Sequence, residues 1–308
     1  MLITIDDVAE AARNIDGLAL RTPLLPAAWA GELWLKAENL QPIGAFKIRG
    51  AANAVARLPE ATPGVATHSS GNHGRALGYA ARAKGIACVV VVPEGAPPVK
   101  LAAIAATGAE LVTVAPADRD AASAKLAAER GYALIPPFDH RDVIAGQGTI
   151  GPEILADLPD VDTVVVPVGG GGLASGVATA VKALKPGTRV IGVEPEWAAD
   201  AKESLEAGRR IAWPVERTYR TLADGVRTCL SDLTYAHLAA RLDAVVTVTE
   251  DELSAAVGEL ARRSCLVAEP SGALTTAAYL RYGAEWGRTA AVISGGNLEP
   301  ALLADLVR

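Results

Sequence analysis

Three short segments of this chain carry groups that could do chemistry. The first, KAENLQPIGAFKIRGAANAV, sets Lys47 between Phe46 and Ile48, just ahead of an alanine-rich helix and with Arg49 close in sequence. Apolar surroundings and a nearby cation both disfavour an ammonium ion, and a neutral amine is what attacks an aldehyde. Taken alone, such a lysine is an ordinary surface residue at a helix start. The second segment, THSSGNHGRALGYAA, gathers Ser69, Ser70, Gly71, Asn72 and His73 ahead of another helix. Hydroxyl, amide and backbone N–H donors grouped in this way suit a carboxylate, although Ser and Asn there also serve as plain helix caps. The third, DTVVVPVGGGGLASGVATAV, runs a strand into Gly169, Gly170, Gly171 and Gly172 and then into a helix. Without Cβ atoms the backbone can approach a phosphate closely, its N–H groups facing the oxygens and the helix dipole favouring negative charge. Near the other end, VISGGN places Ser294 to Asn297 after a strand, where the simplest reading is a turn.

The glycine run admits competing readings. A Walker loop needs Lys-Ser/Thr after its last glycine, and Leu173 and Ala174 stand there instead, which disfavours phosphate transfer. A closer competitor is the relaxed dinucleotide fingerprint Gly169-x-Gly171-x-x-Ala174, with Glu194 ending the next strand about where a ribose-binding acid belongs. Its mid-chain position argues against that reading, because a dinucleotide domain more often carries the fingerprint on an early strand. The segment alone leaves NAD open.

The elements that must position these groups are legible from hydrophobic pattern. Strands are expected at 88 to 93, 110 to 115, 162 to 168, 189 to 195, 244 to 249 and 290 to 296. Helices are expected at 73 to 84, 98 to 107, 118 to 130, 142 to 157, 173 to 184, 250 to 263 and 272 to 285. Such alternation is the pattern of an α/β fold with parallel-rich sheets covered by helices on both faces. At 308 residues the chain exceeds what one core usually supports, so two lobes are expected. IPPFDH at 135 to 140 is the one composition break in the middle, suited to carrying the chain from one lobe back to the other.

Composition excludes several classes. Half of the residues are apolar, yet no run approaches the roughly 18 that a membrane span needs. A formal charge of -6 with no Lys/Arg run gives no attraction for nucleic acid. Cys88, Cys229 and Cys265 are odd in number and far apart, and read as buried thiols in a reducing, cytoplasmic compartment. The start, MLITIDDVAEAARNI, reads as a helix capped by Thr4 and Asp7 rather than as a signal peptide.

Taken together, FKIRGA (46 to 51), SSGNHG (69 to 74), VIAGQGT (143 to 149), PVGGGGL (167 to 173), ADGV (223 to 226), EPSGA (269 to 273) and SGGN (294 to 297) resemble a known family. In order and spacing they are similar to the fold-type II pyridoxal phosphate (PLP) enzymes, in the branch of threonine/serine dehydratases and serine racemase. The resemblance spans nearly the whole chain and displaces the NAD reading. It implies a two-lobed, tryptophan synthase β-like fold, with a large PLP-binding domain of residues 1–52 and 138–308 and a small domain of 53–137. It implies that Lys47 is the Schiff-base lysine and that Gly169, Gly170, Gly171, Gly172 and Leu173 bind the cofactor phosphate. Phe46 would lie against the ring, Asn72 on the ring hydroxyl, Gly225 and Glu269 near the cofactor, and Ser294 opposite the pyridine nitrogen. Ser69, Ser70, Gly71, Asn72 and His73 would take the substrate carboxylate, with Ser70 as a second acid/base. The implied activity is an ammonia-lyase (dehydratase) turning L-threonine or L-serine into 2-oxobutyrate or pyruvate plus ammonia. Serine racemisation and threo-3-hydroxyaspartate dehydration are the alternatives on the same Lys47 and Ser70. The implied partners are a small amino-acid substrate and a second copy in a homodimer.

Departures from the family pattern bear on specificity. Ile43 and Ala45 stand where many relatives carry Thr and Ser, and Phe138-Asp139 resembles the threonine-dehydratase form of its loop. His140 or Arg141 could meet a side-chain carboxylate, as hydroxyaspartate would require. Glu194, the Ala198 carbonyl and Asp200 match positions where relatives bind Mg²⁺, Mn²⁺ or Ca²⁺, and hard cations favour such oxygens. Only eleven residues follow Asn297, so an isoleucine-sensing effector domain is not expected.

Overall fold

The structure, a computed structural model, describes residues 1–307. Its strands in chain order are β1 (Leu24–Pro26), β2 (Leu33–Ala37), β3 (Gly64–His68), β4 (Ala87–Pro93), β5 (Glu110–Val114), β6 (Ala133–Leu134), β7 (Thr163–Pro167), β8 (Arg189–Pro195), β9 (Ala244–Val248) and β10 (Thr289–Ile293). They form two sheets, one ordered β1-β2-β10-β7-β8-β9 and the other β5-β4-β3-β6. Every pairing is parallel except β1 with β2. The helices are α1 (Ile5–Asn14), α2 (Lys47–Ala56), α3 (Asn72–Lys84), α4 (Pro98–Ala105), α5 (Arg119–Arg130), α6 (Arg141–Gly148) and α7 (Ile150–Asp157), then α8 (Gly172–Leu184), α9 (Asp200–Glu206), α10 (Val215–Thr218), α11 (Asp232–Arg241), α12 (Glu250–Ser264), α13 (Pro270–Tyr282) and α14 (Pro300–Leu306). None of them is long and apolar enough to cross a membrane.

Both faces of the larger sheet are buried, which is why its strands read as continuous Val/Ile/Ala runs. Val164 and Val166 of β7 pack with α8 on one side, while Val165 packs with α12 and α13 on the other. Strand β10 splits in the same way, with Ala290 and Val292 on the first face and Ala291 and Ile293 on the second. The smaller sheet buries Val90 and Val92 against α2 and α3, and Val89 with Ala127 of α5 on its far face.

Helix α6 lies between α2 and α8, and both contacts are made through glycine. A methyl group on Gly146 would lie 2.7 Å from the Gly50 Cα, and one on Gly176 2.5 Å from the Gly148 amide nitrogen, so the helix backbones touch directly. The single helix expected at 142 to 157 is therefore two, α6 and α7, meeting at Thr149. Pro152 cannot donate an amide bond inside a continuous helix and is tolerated only in a new first turn. The amino-terminal helix has the capping box that Thr4 and Asp7 foretold.

Candidate active site

Lys47 is the first residue of α2, and its Nζ donates to the Pro137 carbonyl at 2.8 Å while lying 5.1 Å from the Phe46 ring centre. Burial pushes its pKa down to about 8. Arg49, expected from sequence to add to that effect, points away into a buried network beneath the helix. Its guanidinium takes Glu38 in a fork at 2.8 and 2.8 Å and Glu153 at 2.6 and 2.8 Å. Lys36 completes the set on Glu153 at 2.6 Å, so two cations and two carboxylates close on one another under the turn that carries Lys47.

The loop before Lys47 is stitched to the end of β10. The Phe46 amide donates to the Ser294 carbonyl at 3.0 Å, Gly296 N to Gly44 O at 2.9 Å, and the Asn297 side chain to Ile43 O at 2.8 Å. Ser294 Oγ faces the Ser271 carbonyl at 3.3 Å, and Ser271 Oγ accepts from Gly225 N at 2.9 Å. Lys47, Phe46, Ser294 and Gly225 thus belong to one connected shell. Asn72 and Glu269 join it from opposite sheets: Asn72 Nδ2 donates to Glu269 Oε1 at 2.7 Å, and Asn72 Oδ1 accepts from Asn297 at 2.7 Å. Burial raises the Glu269 pKa to about 8.

In the serine-asparagine segment, Gly71 N donates to Ser69 Oγ at 3.2 Å, and Ser70 stands half-buried at the start of α3. His73 is buried with Nε2 at 2.9 Å from the Ile135 carbonyl, which assigns the proton to that nitrogen. Burial, then the charge of Lys47, holds its pKa down at about 3, so it is a neutral imidazole.

The glycine run turns between β7 and α8. Gly171 has φ +84°, the left-handed region that favours glycine, and serves as N-cap of α8. The loop is walled by side chains: a methyl on Gly170 would lie 2.5 Å from Phe138 Cγ, and one on Gly169 2.6 Å from Val226 Cα. The first-turn amides of any helix lack carbonyl partners and so offer donors to an anion. Glycine loop, helix start and a deprotonatable lysine form a donor set that fits PLP.

The candidate metal residues sit apart from this shell. Glu194 accepts from Ala201 N and Lys202 N at 2.9 and 2.8 Å, and Asp200 from Leu230 N at 3.0 Å, both carboxylates being buried. Burial and then Asp200 push Glu194 well above the carboxylate range, and burial raises Asp200 to about 6. Two buried acids repelling each other suit a shared proton or a divalent cation, and Ala198 is buried in the short turn between β8 and α9. No cluster of three or more His, Cys, Asp or Glu side chains placed for a metal ion occurs among the described residues.

Some functional neighbours escaped sequence reading. The Pro137 carbonyl and the contact of the Phe138 ring with the glycine loop were not foreseen. Their segment was read as a composition break and, by resemblance, as a threonine-dehydratase-like loop, and a backbone acceptor leaves no signature in residue type. His140 caps α6 through Asp142 N at 3.2 Å, and Arg141 binds the Met1 carbonyl and Asp7. Arg141 is thereby engaged, while His140 Nε2 has no hydrogen-bond partner among the described residues, so the expectation that one of the two could meet a substrate carboxylate falls to that nitrogen.

Comparison with known proteins agrees with this geometry. A family model described as pyridoxal-phosphate dependent enzyme matches residues 15–295. The chain is 38% identical to the L-threo-3-hydroxyaspartate ammonia-lyase of Saccharomyces cerevisiae, over 99% of this chain and 96% of that protein. It is 40% identical to the serine racemase of Dictyostelium discoideum, over 96% and 95% of the two chains. The crystal structure of a T.th. threonine deaminase superposes with a TM-score of 0.91 at 45% identity, covering 96% of this chain and 99% of that one.

Proposed function

The chain belongs to the pyridoxal-phosphate dependent enzyme family, and from that premise we propose that it is an ammonia-lyase acting on L-threonine and L-serine. The observation that carries this reading is Lys47, a lysine with its pKa lowered to about 8, held on a carbonyl close to a glycine-walled helix start. Bound PLP supplies the electron sink for the pair left at Cα when a proton departs. Lys47 would carry the cofactor, and its freed neutral amine would accept the Cα proton. Ser69, Ser70, Gly71, Asn72 and His73 would hold the substrate carboxylate with the amides and hydroxyls that open α3, orienting the Cα–H bond toward Lys47. Gly169 to Leu173 would hold the phosphate, with Phe46 along the ring and Asn72 and Gly225 at its edge. Ser294 would face the ring nitrogen. A hydroxyl there does not keep the ring protonated as a carboxylate would, which favours elimination over transamination. The proton that Lys47 took from Cα would then pass to the departing β-hydroxyl, which leaves as water, and the released enamine would hydrolyse to a keto acid and ammonia.

Racemisation on the same residues is the second reading, supported by Ser70, which is half-buried and has no hydrogen-bond partner among the described residues. The division into domains 1–52 with 138–308 and 53–137 is proposed on the same footing, since β3 to β6 all lie between 64 and 134. A divalent cation on Glu194 and Asp200 is proposed as a structural ion that relieves the repulsion between two buried carboxylates.

The test is an absorbance spectrum of the purified protein followed by keto acid, ammonia and chiral amino-acid assays with L-threonine and L-serine. A band at roughly 410 to 420 nm that Lys47→Ala removes, with 2-oxobutyrate from threonine, is the expected result. A protein that takes up no PLP overturns the reading, and D-serine without keto acid replaces it by the racemase.

A further inference from the structure

An ion pair near this shell joins helix α4 to the short turn that holds Gly225. Lys100, in the first turn of α4, sends its ammonium to the Asp224 carboxylate. Asp224 directly precedes Gly225, whose amide is bound to Ser271 beneath the Ser294 end of the site. The pair is partly exposed, at 22% for the Lys100 side chain and 37% for Asp224, as expected of a mouth rather than a core. Glu269 lies close enough to feel both charges, raised by Asp224 and lowered by Lys100, although burial is the larger influence on it.

Other cations near the shell already hold at least one partner. Arg75 donates to Asn297 Oδ1 at 3.0 Å, Arg141 binds the Met1 carbonyl and Asp7, and burial lowers the pKa of His140, which spends its Nδ1 on the α6 cap. Lys47 is reserved for the chemistry. A substrate bringing a second carboxylate toward Gly225 would meet Asp224 and Glu269, with Lys100 already paired.

We infer that the Lys100–Asp224 pair is a specificity-determining element that restricts this site to β-hydroxy amino acids with uncharged side chains. The inference deepens the ammonia-lyase reading and rests on its placement of the site. Asp224 neutralises the cation that a dicarboxylic substrate would need, so removing either partner moves selectivity in opposite directions.

The experiment uses PLP-loaded enzyme and two unreactive ligands, L-aspartate and L-2-aminobutyrate, with affinity read from the change in cofactor absorbance. Asp224→Asn frees Lys100 and raises the affinity ratio of aspartate to aminobutyrate by about tenfold. Lys100→Met leaves the acids unopposed and lowers that ratio by a similar factor. Wild-type enzyme forms keto acid from threonine with higher kcat/KM than from threo-3-hydroxyaspartate, and Asp224→Asn narrows the gap. Affinity ratios that stay within about twofold of wild type in both variants, or that move in the same direction in both, overturn the inference. If the ratios move oppositely while no variant forms keto acid, the inference stands and the ammonia-lyase reading falls.

Discussion

Replacing Arg49 by methionine tests the argument that a buried, charge-balanced network supports the Lys47 turn. The substitution keeps an unbranched apolar stem but removes the guanidinium and leaves Lys36 facing both Glu38 and Glu153. It also removes donors to Thr149 Oγ1 and the Leu20 carbonyl, each at 3.0 Å. Breaking a buried pair strands a charge, and the expected loss of unfolding free energy near neutral pH is about 3–5 kcal/mol. The pH dependence carries a second, independent sign. In the native protein burial pushes Glu38 up, but the Arg49 guanidinium, with the Thr22 hydroxyl and the Lys36 charge beside it, holds the carboxyl below its ordinary value. Its folded pKa lies below the unfolded one, so its contribution is present above the unfolded value and is lost as pH falls through the folded one. Without Arg49 the same burial leaves Glu38 raised, and protonation then relieves the fold. Urea unfolding should therefore show the gap between variant and wild type narrowing from about pH 7.5 to about pH 5.5. Arg49→Lys should restore only part of the loss, because an ammonium cannot make the fork on Glu38. A loss below about 1 kcal/mol, or a gap that widens on acidification, refutes the reasoning.

Other outcomes are expected. Gly170→Ala should weaken PLP binding by about tenfold or more, because its methyl meets the Phe138 ring; adding Phe138→Ala should recover part of it, read by cofactor titration of the pair and singles. In cofactor-free protein, labelling of Lys47 by an amine reagent should rise with a midpoint at about 8, as measured by mass spectrometry across pH; a midpoint at the ordinary lysine value would remove burial as its cause. Mg²⁺, Mn²⁺ or Ca²⁺ at about a hundred times its dissociation constant should stabilise the protein by about 2.7 kcal/mol, and Glu194→Gln with Asp200→Asn should abolish the increment in thermal melts.

The fold class and most of the long central elements were legible because strands such as β4 and β7 are bare β-branched runs and their covering helices keep an apolar period, whereas β2, LWLKA, has no β-branched residue and was missed. Strand β8 was read as 189 to 195 and is Arg189–Pro195. Strand β3, GVATH, was missed because glycine and alanine carry little strand propensity, and β6 because two residues hold no period. At the site, the glycine run was marked by residue type and spacing, whereas Lys47 and Ser294 took their expected roles only from the family resemblance. The Arg49 network could not be read in the same way, since Lys36, Glu38 and Glu153 look like solvated charges in sequence and are paired only by tertiary folding. Its neighbour Arg49 was read with the wrong sense for that reason, as a pressure on Lys47 rather than as an anchor below it.

Helix α6 touches α2 through Gly146 and α8 through Gly148, backbone against backbone. The amine rides on the first of those neighbours and the glycine cradle opens onto the second. The span between them is thus gauged by main-chain thickness alone, like a machinist's block that has no adjustable part. Side-chain drift elsewhere can reshape the mouth at Lys100 and Asp224 without altering that gauge. Substrate range can diverge among such proteins while the reach from lysine to phosphate stays constant, and redesign of this chain belongs on the smaller sheet's side of the cleft.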